Sequence, residues 1–177
     1  MLDLCSGLAG ASDPFKERGW EVITVDINPN FNPTVCTDII NWNYQGRKPN
    51  LIWASPDCTQ FCKKSLPLSW ACNRQNPPKP DTSLMLACKR IIDKANPDYW
   101  VIENVRGAVF YFTPYLGKVK KKIGSRYLWG EFPPFDTSPK YGKWKLSPSK
   151  DRAARRSIIP KGLSLSLLRS IEIYGGL

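Results

Sequence analysis

Residues 2–10 read LDLCSGLAG, a short apolar run that leads into a turn containing two glycines. Helix signals follow directly: Ser12 or Asp13 is a candidate N-cap, Pro14 suits the first turn, and Gly19 suits the end. A strand, a glycine turn and a helix in this order open a βαβ unit, whose glycines let the backbone approach a ligand. The stretch therefore predicts an α/β fold, although tight turns also use glycine for steric reasons alone.

The rest of the chain continues this alternation. Together with residues 1–5, the apolar, β-rich runs at 21–26, 50–55 and 98–103 predict a mostly parallel central sheet. Apolar residues recur at helical spacing over 82–95, and a last apolar helix is predicted over 163–173. Between these elements we predict a long loop over 62–81, and an extended surface segment over 132–150.

Length and charge limit the function classes. A chain of 177 residues suits one domain, residues 1–177, and its net charge of +11 favours a polyanionic partner such as nucleic acid. The excess is concentrated over 118–161, which holds thirteen Lys/Arg and three acids. No apolar run is long enough to span a membrane and no targeting segment is visible, so we expect a cytoplasmic protein whose six cysteines are free thiols.

Acidic residues follow the early strands. Asp26 lies nineteen positions after Gly7, at the end of the next apolar run, where an acid can bind the ribose hydroxyls of an adenosine cofactor. Asp38 follows the next extended segment; taken alone, it is better explained as a turn or cap residue.

Two reactive groups follow the later strands. Cys58 comes shortly after the apolar run 51–54, and Glu103 comes directly after 99–102. Since the carboxyl ends of parallel strands meet at one edge of a sheet, we expect both groups to share one crevice. The chain contains no histidine, which excludes chemistry based on a Cys-His pair.

Five motifs occur in an order that resembles the DNA cytosine-5 methyltransferases, and compact phage-type members most of all. They are LDLCSG at 2–7, Val-Asp at 25–26, Asp-Ile at 38–39, SPDCTQF at 55–61 and Glu-Asn-Val at 103–105. SRYLWG at 125–130 and RRSIIPKGLS at 155–164 resemble the two motifs that follow in that family. The resemblance covers residues 2 to about 173 and implies a Rossmann-like S-adenosylmethionine-dependent methyltransferase fold.

The resemblance also implies roles for individual residues. Cys58 attacks C6 of a cytosine flipped out of double-stranded DNA, a protonated Glu103 with a raised pKa donates to N3, and Arg126 positions the nucleotide. The implied contacts with S-adenosylmethionine come from Cys5, Gly7, Gly10, Asp26, Asp38, Ile39, Ser55 and Pro56. We expect Lys120, Lys121, Lys122 and Arg126 to contact DNA.

Two features differ from most members of the family. Asp57 precedes the nucleophile where many members have proline, and a carboxylate aimed at the sulfur would disfavour the thiolate. A short basic segment, about 131–154, stands where typical members insert a target-recognition domain. We therefore expect a short or degenerate DNA target, and a second copy or another protein as a candidate source of recognition.

Three alternatives stay open at this point. The same chemistry fits RNA, because a basic surface does not distinguish the two polymers. A catalytically silent module that binds DNA or the cofactor is also conceivable, although the chain retains both Cys58 and Glu103. Zinc ligation by Cys58, Cys62, Cys72 and Cys88 is disfavoured by their irregular spacing, so we expect no metal.

Overall fold

The computed structural model describes residues 1–62, 79–136 and 158–176. The strands are β1 (Leu2–Leu4), β2 (Ile23–Asp26), β3 (Val35–Cys36), β4 (Leu51–Ala54), β5 (Tyr99–Val105), β6 (Lys121–Ile123) and β7 (Arg126–Glu131). The helices are α1 (Asp13–Glu17), α2 (Ser83–Ala95), α3 (Val109–Leu116) and α4 (Lys161–Gly175).

The strands form one sheet in the order β3-β2-β1-β4-β5-β7-β6. Strands β1 to β5 pair in parallel, whereas β7 is antiparallel to both β5 and β6. The antiparallel pairs arise because β6 and β7 are joined by a tight turn and form a hairpin, which reverses the chain direction. The four predicted strands and the mostly parallel sheet are confirmed; the hairpin was not predicted.

The sheet is covered on both faces. Side chains alternate along each strand, so Ile52 packs into the core on one side while Leu51 and Trp53 pack into the core on the other. Helices α2 and α3 complete the first core with residues such as Met85 and Phe112. Helices α1 and α4 complete the second core, which makes the fold a three-layer arrangement of helices around a sheet.

The predicted helices are present with small shifts of their ends. Helix α1 follows Ser12, whose hydroxyl makes no cap bond within the helix, and α2 ends at Asn96 in the left-handed conformation. Helix α4 is longer at both ends than predicted. Most of the loop predicted over 62–81 and of the basic segment predicted over 131–154 lies outside the described residues. No helix among the described residues combines the length and hydrophobicity needed to cross a bilayer.

Candidate active site

One row of the sheet aligns the ends of four parallel strands. Val25, Leu4, Ala54 and Ile102 are neighbours across the sheet. The residues that come next in each strand are Asp26, Cys5, Ser55 and Glu103, so they lie level at the carboxyl edge. The sheet thereby gathers residues predicted for the cofactor and for catalysis at the same edge.

Asp26 holds the glycine turn after β1. Its Oδ2 accepts a hydrogen bond from the Gly7 amide (2.8 Å), and its Oδ1 accepts one from the Asn28 amide (2.9 Å). A carboxylate oxygen can accept two hydrogen bonds, so each retains capacity for a ligand hydroxyl. Gly7 has φ +51°, and no heavy atom lies within 4 Å of where its Cβ would be. The turn thus combines an acceptor with open space, which fits an adenosine ligand.

Cys5 and Gly10 lie on either side of this turn. The Cys5 backbone has φ +55°, while a hydrogen bond with Cys88 and burial raise the pKa of its thiol. A Cβ on Gly10 would lie 2.5 Å from Ile158 Cγ2 and 2.7 Å from the Ile159 carbonyl oxygen. Gly10 therefore allows the segment before α4 to pack closely against the turn, and its contact with a cofactor stays a prediction.

Arg90 fixes the second predicted cofactor turn. Its guanidinium donates to the carbonyl oxygens of Ile39 (2.9 Å) and Trp42 (2.8 Å). Asp38 Oδ1 accepts from the Ile40 amide (2.9 Å), whereas the Ile39 side chain is buried in the core. Ile39 thus anchors the turn, and Asp38 is partly exposed beside it.

Exposed apolar side chains follow the first three strands at this edge. Leu8, Ile27 and Ile40 are 42%, 65% and 40% exposed. Exposed apolar groups grouped around a binding site commonly contact an apolar part of the ligand. Their position beside Asp26 is consistent with a ligand that joins an apolar ring to hydroxyl groups.

The segment after β4 is fixed on the sheet before it reaches Cys58. The Ser55 amide donates to Leu4 O (3.1 Å), and its hydroxyl accepts from Trp53 Nε1 (2.8 Å). Pro56 is buried, and its carbonyl oxygen accepts from the fully buried Asn104 side chain (2.9 Å). Ser55 and Pro56 therefore connect β4 to the end of β5.

A short 3-10 turn, Thr59–Phe61, follows Cys58 and is packed tightly against residues after β5. Phe61 is buried against the ring of Phe112, 5.1 Å away between centroids. A Cβ on Gly107 would lie only 1.9 Å from the Phe61 carbonyl oxygen. Only glycine permits this approach, which holds the Cys58 turn near Glu103.

The surroundings of Cys58 oppose ionisation of its thiol. Burial is the main cause, and Cys62, Asp57 and Glu103 add to it; together they raise the pKa of Cys58 to about 12. The Asp57 carboxylate accepts hydrogen bonds from the Thr59 amide and hydroxyl, so it is turned towards the 3-10 turn. Cys62 Sγ lies 3.9 Å from Cys58 Sγ. In the free protein, Cys58 is therefore a protonated thiol.

Glu103 and Arg126 form an ion pair beside this thiol. Arg126 Nη1 lies 3.2 Å from Glu103 Oε1, and both side chains are largely buried. The antiparallel register, which pairs Val105 with Arg126, brings the two together. Burial raises the pKa of Glu103, and the charge and hydrogen bond of Arg126 oppose the rise only in part. A second bond, from Arg126 Nη2 to Ile158 O (2.6 Å), ties the segment before α4 to the same place.

The three lysines predicted to contact DNA differ in their surroundings. Lys120 and Lys122 are exposed, Lys120 with its ammonium 3.4 Å from Glu131 and Lys122 over the ring of Tyr127. Lys121 is partly buried and donates to the Phe135 carbonyl oxygen. Of the three, Lys121 is therefore the least exposed lysine and the one bonded to a backbone carbonyl.

Sequence reasoning assigned no role to several residues that shape this site. Asn104, Gly107 and Arg90 hold its segments in place, and Asp3 is buried beneath it. A glycine four positions after Glu103 was a visible signal, but its close contact with Phe61 depends on the tertiary structure.

Asp3 is a buried carboxyl group in β1. Neither of its oxygens has a hydrogen-bond partner, and burial raises its pKa to about 7. The neighbouring Ser12 hydroxyl, which donates to Ala9 O (3.4 Å), offsets only part of the burial cost. Asp3 thus titrates around neutral pH, with a pKa of about 7, and is protonated below it.

Within the described ranges, no group of three or more His, Cys, Asp or Glu side chains is arranged to hold a metal ion. Of the four cysteines considered as zinc ligands, Cys58 and Cys62 lie together, Cys88 is buried with Cys5, and Cys72 lies outside the described residues.

Comparisons with known proteins agree with the fold. No protein-family model matches the chain, and no curated protein matches its sequence. The structure is similar to a solved E. coli protein described as a candidate DNA modification methyltransferase encoded within a prophage, with 18% identity and a TM-score of 0.50. The match covers 73% of this chain and 45% of that one, so the chain spans less than half of its neighbour's length. At this identity the likeness shows the fold, which is the Rossmann-like fold of that protein.

Proposed function

We propose that the chain is an S-adenosylmethionine-dependent methyltransferase that modifies C5 of cytosine in DNA, with Cys58 as the covalent nucleophile. One observation carries the proposal: a thiol, a buried carboxyl group with a raised pKa and an arginine lie together at the sheet edge that also bears the glycine turn and Asp26. The fold shared with a candidate DNA modification methyltransferase supports it.

The residues at the other end of this edge fit the cofactor. Asp26 offers acceptors for the ribose hydroxyls, the space beside Gly7 admits the ligand, and the exposed side chains of Leu8, Ile27 and Ile40 suit the adenine ring. Asp38, in the neighbouring turn, would contact the adenine base of the cofactor. When bound, S-adenosylmethionine supplies an electrophilic methyl group.

The protein's residues would activate the cytosine ring. C5 is a poor nucleophile until a group adds at C6, and a sulfur nucleophile suits that addition. The raised pKa of Glu103 favours its protonated form, which would donate a proton to N3 as negative charge develops on the ring. Cys58 must pass its proton to solvent as its sulfur adds to C6, so attack would be linked to arrival of the target cytosine. Once C5 has received the methyl group, the C5 proton would pass to solvent, the C6–sulfur bond would break with its electron pair on Cys58, and the N3 proton would return to Glu103.

Arg126 would position both the acid and the substrate. Its bond to Glu103 orients the carboxyl group, and its bond to Ile158 O fixes the guanidinium itself. The exposed Lys118, Lys120 and Lys122 lie just before or on the β6–β7 hairpin that bears Arg126, and they suit contact with backbone phosphates. A duplex hides the faces of its bases, so the target cytosine would have to be flipped out.

The test is incubation of the full chain with labelled S-adenosylmethionine and either unmethylated duplex DNA or transfer RNA, followed by nucleoside analysis. We expect 5-methylcytosine in the DNA reaction and none with Cys58→Ser, because oxygen is a much weaker nucleophile towards C6. Cys36→Ser, which changes an exposed cysteine, is the matched control and should keep wild-type turnover.

Trapping experiments test the covalent step separately. DNA that contains 5-fluorocytosine should form a stable adduct on Cys58, since fluorine blocks the final elimination. Methylation at an exocyclic nitrogen, or full activity of Cys58→Ser, would overturn the proposed chemistry. Methylation of RNA alone would overturn the proposed substrate.

A further inference from the structure

We propose that Cys58 and Cys62 form a dithiol modification site, which small-molecule disulfides of the glutathione class convert to an intramolecular disulfide. The two sulfurs lie 3.9 Å apart. Formation of the disulfide is independent of the proposed function; only its consequence, loss of the attacking thiol, rests on that function.

The local backbone holds the two thiols together. Cys58 and Cys62 are the residues on either side of the same 3-10 turn, Thr59–Phe61. The Phe61 amide donates to Cys58 O (3.0 Å), and the Cys62 amide donates to Thr59 O (3.3 Å). The turn is fixed in the core by Phe61, which packs against Phe112 and so holds the two thiols on either side of the turn.

Closure requires the two sulfurs, now 3.9 Å apart, to approach by about 2 Å. A disulfide needs sulfurs about 2 Å apart, and rotation about χ1 moves each sulfur without changing the backbone. Both residues are partly exposed, so a small disulfide can reach either of them. Among the described residues, the other free thiols are placed differently: Cys36 is exposed on β3, and Cys5, which is partly exposed, is hydrogen-bonded to the buried Cys88.

The reaction follows ordinary thiol–disulfide exchange. One protein thiol loses its proton and attacks a sulfur of oxidised glutathione, which forms a mixed disulfide and releases one glutathione thiolate. The second protein thiol then loses its proton and attacks the protein sulfur of the mixed disulfide. The Cys58–Cys62 bond forms and a second glutathione leaves, so two protein thiols are oxidised, one glutathione disulfide is reduced and both protons end on glutathione.

The test uses the reduced full chain, oxidised glutathione, alkylation of the remaining thiols and tryptic mapping. One tryptic peptide, residues 48–63, contains both cysteines and no other. We expect it to lose two hydrogens and to resist alkylation, with both changes reversed by dithiothreitol. Since the second thiol acts within the molecule, the closed disulfide should exceed the glutathione adduct by at least about tenfold.

Two variants give the matched comparison. Cys62→Ser should accumulate one glutathione on this peptide, because nothing can displace it, whereas Cys36→Ser should close the disulfide as wild type does. A wild-type peptide that keeps a stable glutathione adduct, or that stays fully alkylatable while Cys36 is modified, would overturn the inference. Because wild type alone yields these readouts, a folding defect in Cys62→Ser does not affect the decision. If the reduced protein shows no methyltransferase activity but still closes this disulfide with oxidised glutathione, the proposed function is rejected and this inference stands.

Discussion

Replacing Gly107 with alanine would put a methyl carbon 1.9 Å from the Phe61 carbonyl oxygen. Real Cβ contacts are not shorter than 3.0 Å, so the two backbones must separate by about 1 Å. Phe61 ends the 3-10 turn that follows Cys58, and this shift therefore moves Cys58, the proposed nucleophile, relative to Glu103. A displacement of about 1 Å in a catalytic group can cost on the order of a hundredfold in rate, and overpacking costs about 1–3 kcal/mol of stability.

The assay is the single-turnover rate of methyl transfer at saturating S-adenosylmethionine, with cofactor affinity and the unfolding midpoint measured in parallel. We expect the rate to fall on the order of a hundredfold while the cofactor dissociation constant stays near wild type, since the Asp26 turn is untouched. Gly124→Ala is the control: its positive φ of +59° imposes a strain of about 1–2 kcal/mol, but no atom lies within 4 Å of the new methyl group. A wild-type rate in Gly107→Ala, or an equal loss in Gly124→Ala, would refute the idea that the close approach of Gly107 to Phe61 positions Cys58.

Three further predictions address the cofactor, the nucleic acid and stability. Asp26→Asn should weaken S-adenosylmethionine binding about tenfold or more in calorimetric titration, because a hydrogen bond to a charged acceptor contributes about 1.5–3 kcal/mol. Replacing Lys120 and Lys122 together with alanine should lower the slope of log K against log salt by about 0.9 for each phosphate that is no longer neutralised, whereas Lys121→Ala should chiefly lower the unfolding midpoint. The folded-state pKa of Asp3 is about 7, against an ordinary value of 3.8. The folded state therefore binds one more proton than the unfolded state between about pH 4 and 7. As a result, the free energy of unfolding of the wild type falls as the pH rises through that window. Asp3→Asn should remove this loss, worth up to about 4 kcal/mol, in urea unfolding at both ends of the window.

Each of these results has a clear contrary outcome. An unchanged cofactor affinity in Asp26→Asn would make that acid a turn residue only. Equal effects of Lys121 and of the exposed lysine pair on the salt slope would contradict their different surroundings. If wild type and Asp3→Asn show parallel pH profiles, the buried carboxyl group is not the source of the pH dependence.

The predicted parts of the fold are those that local pattern decides. Apolar runs marked β1, β2, β4 and β5, and helical spacing marked α2, because burial on two faces selects apolar residues at fixed periods. The β6–β7 hairpin was missed because Lys121 and Lys122 interrupt the apolar alternation of its first strand. In the folded chain, the charged Lys121 is accommodated in this strand by contacts with the carbonyl oxygen and the ring of Phe135, which the sequence does not reveal.

The same holds for the candidate site: features set by the order of residues along the chain could be predicted, whereas features set by contacts in the folded structure could not. The positions of Cys58 and Glu103 could be predicted, because both follow strands and the carboxyl ends of parallel strands share one edge. The close approach at Gly107, the two carbonyls bound by Arg90 and the raised pKa of Cys58 could not, since each depends on residues far apart in the chain. Gly10 illustrates the limit: its place in the turn was visible, but its contact with Ile158 was not.

The contacts that flank residues 137–157 have a consequence for how the fold can grow. On one side, Ser170 Oγ donates to Pro134 O (2.7 Å); on the other, Arg126 donates to Ile158 O (2.6 Å). With both ends held by the rest of the protein, lengthening the chain between them adds mainly closure entropy, about 0.6 kcal/mol for each doubling. A folded module inserted there would finish next to the ion pair of Arg126 and Glu103. The same fold could therefore accept target-recognition modules of different size at this point, and sequence selectivity could change without a change in the candidate active site.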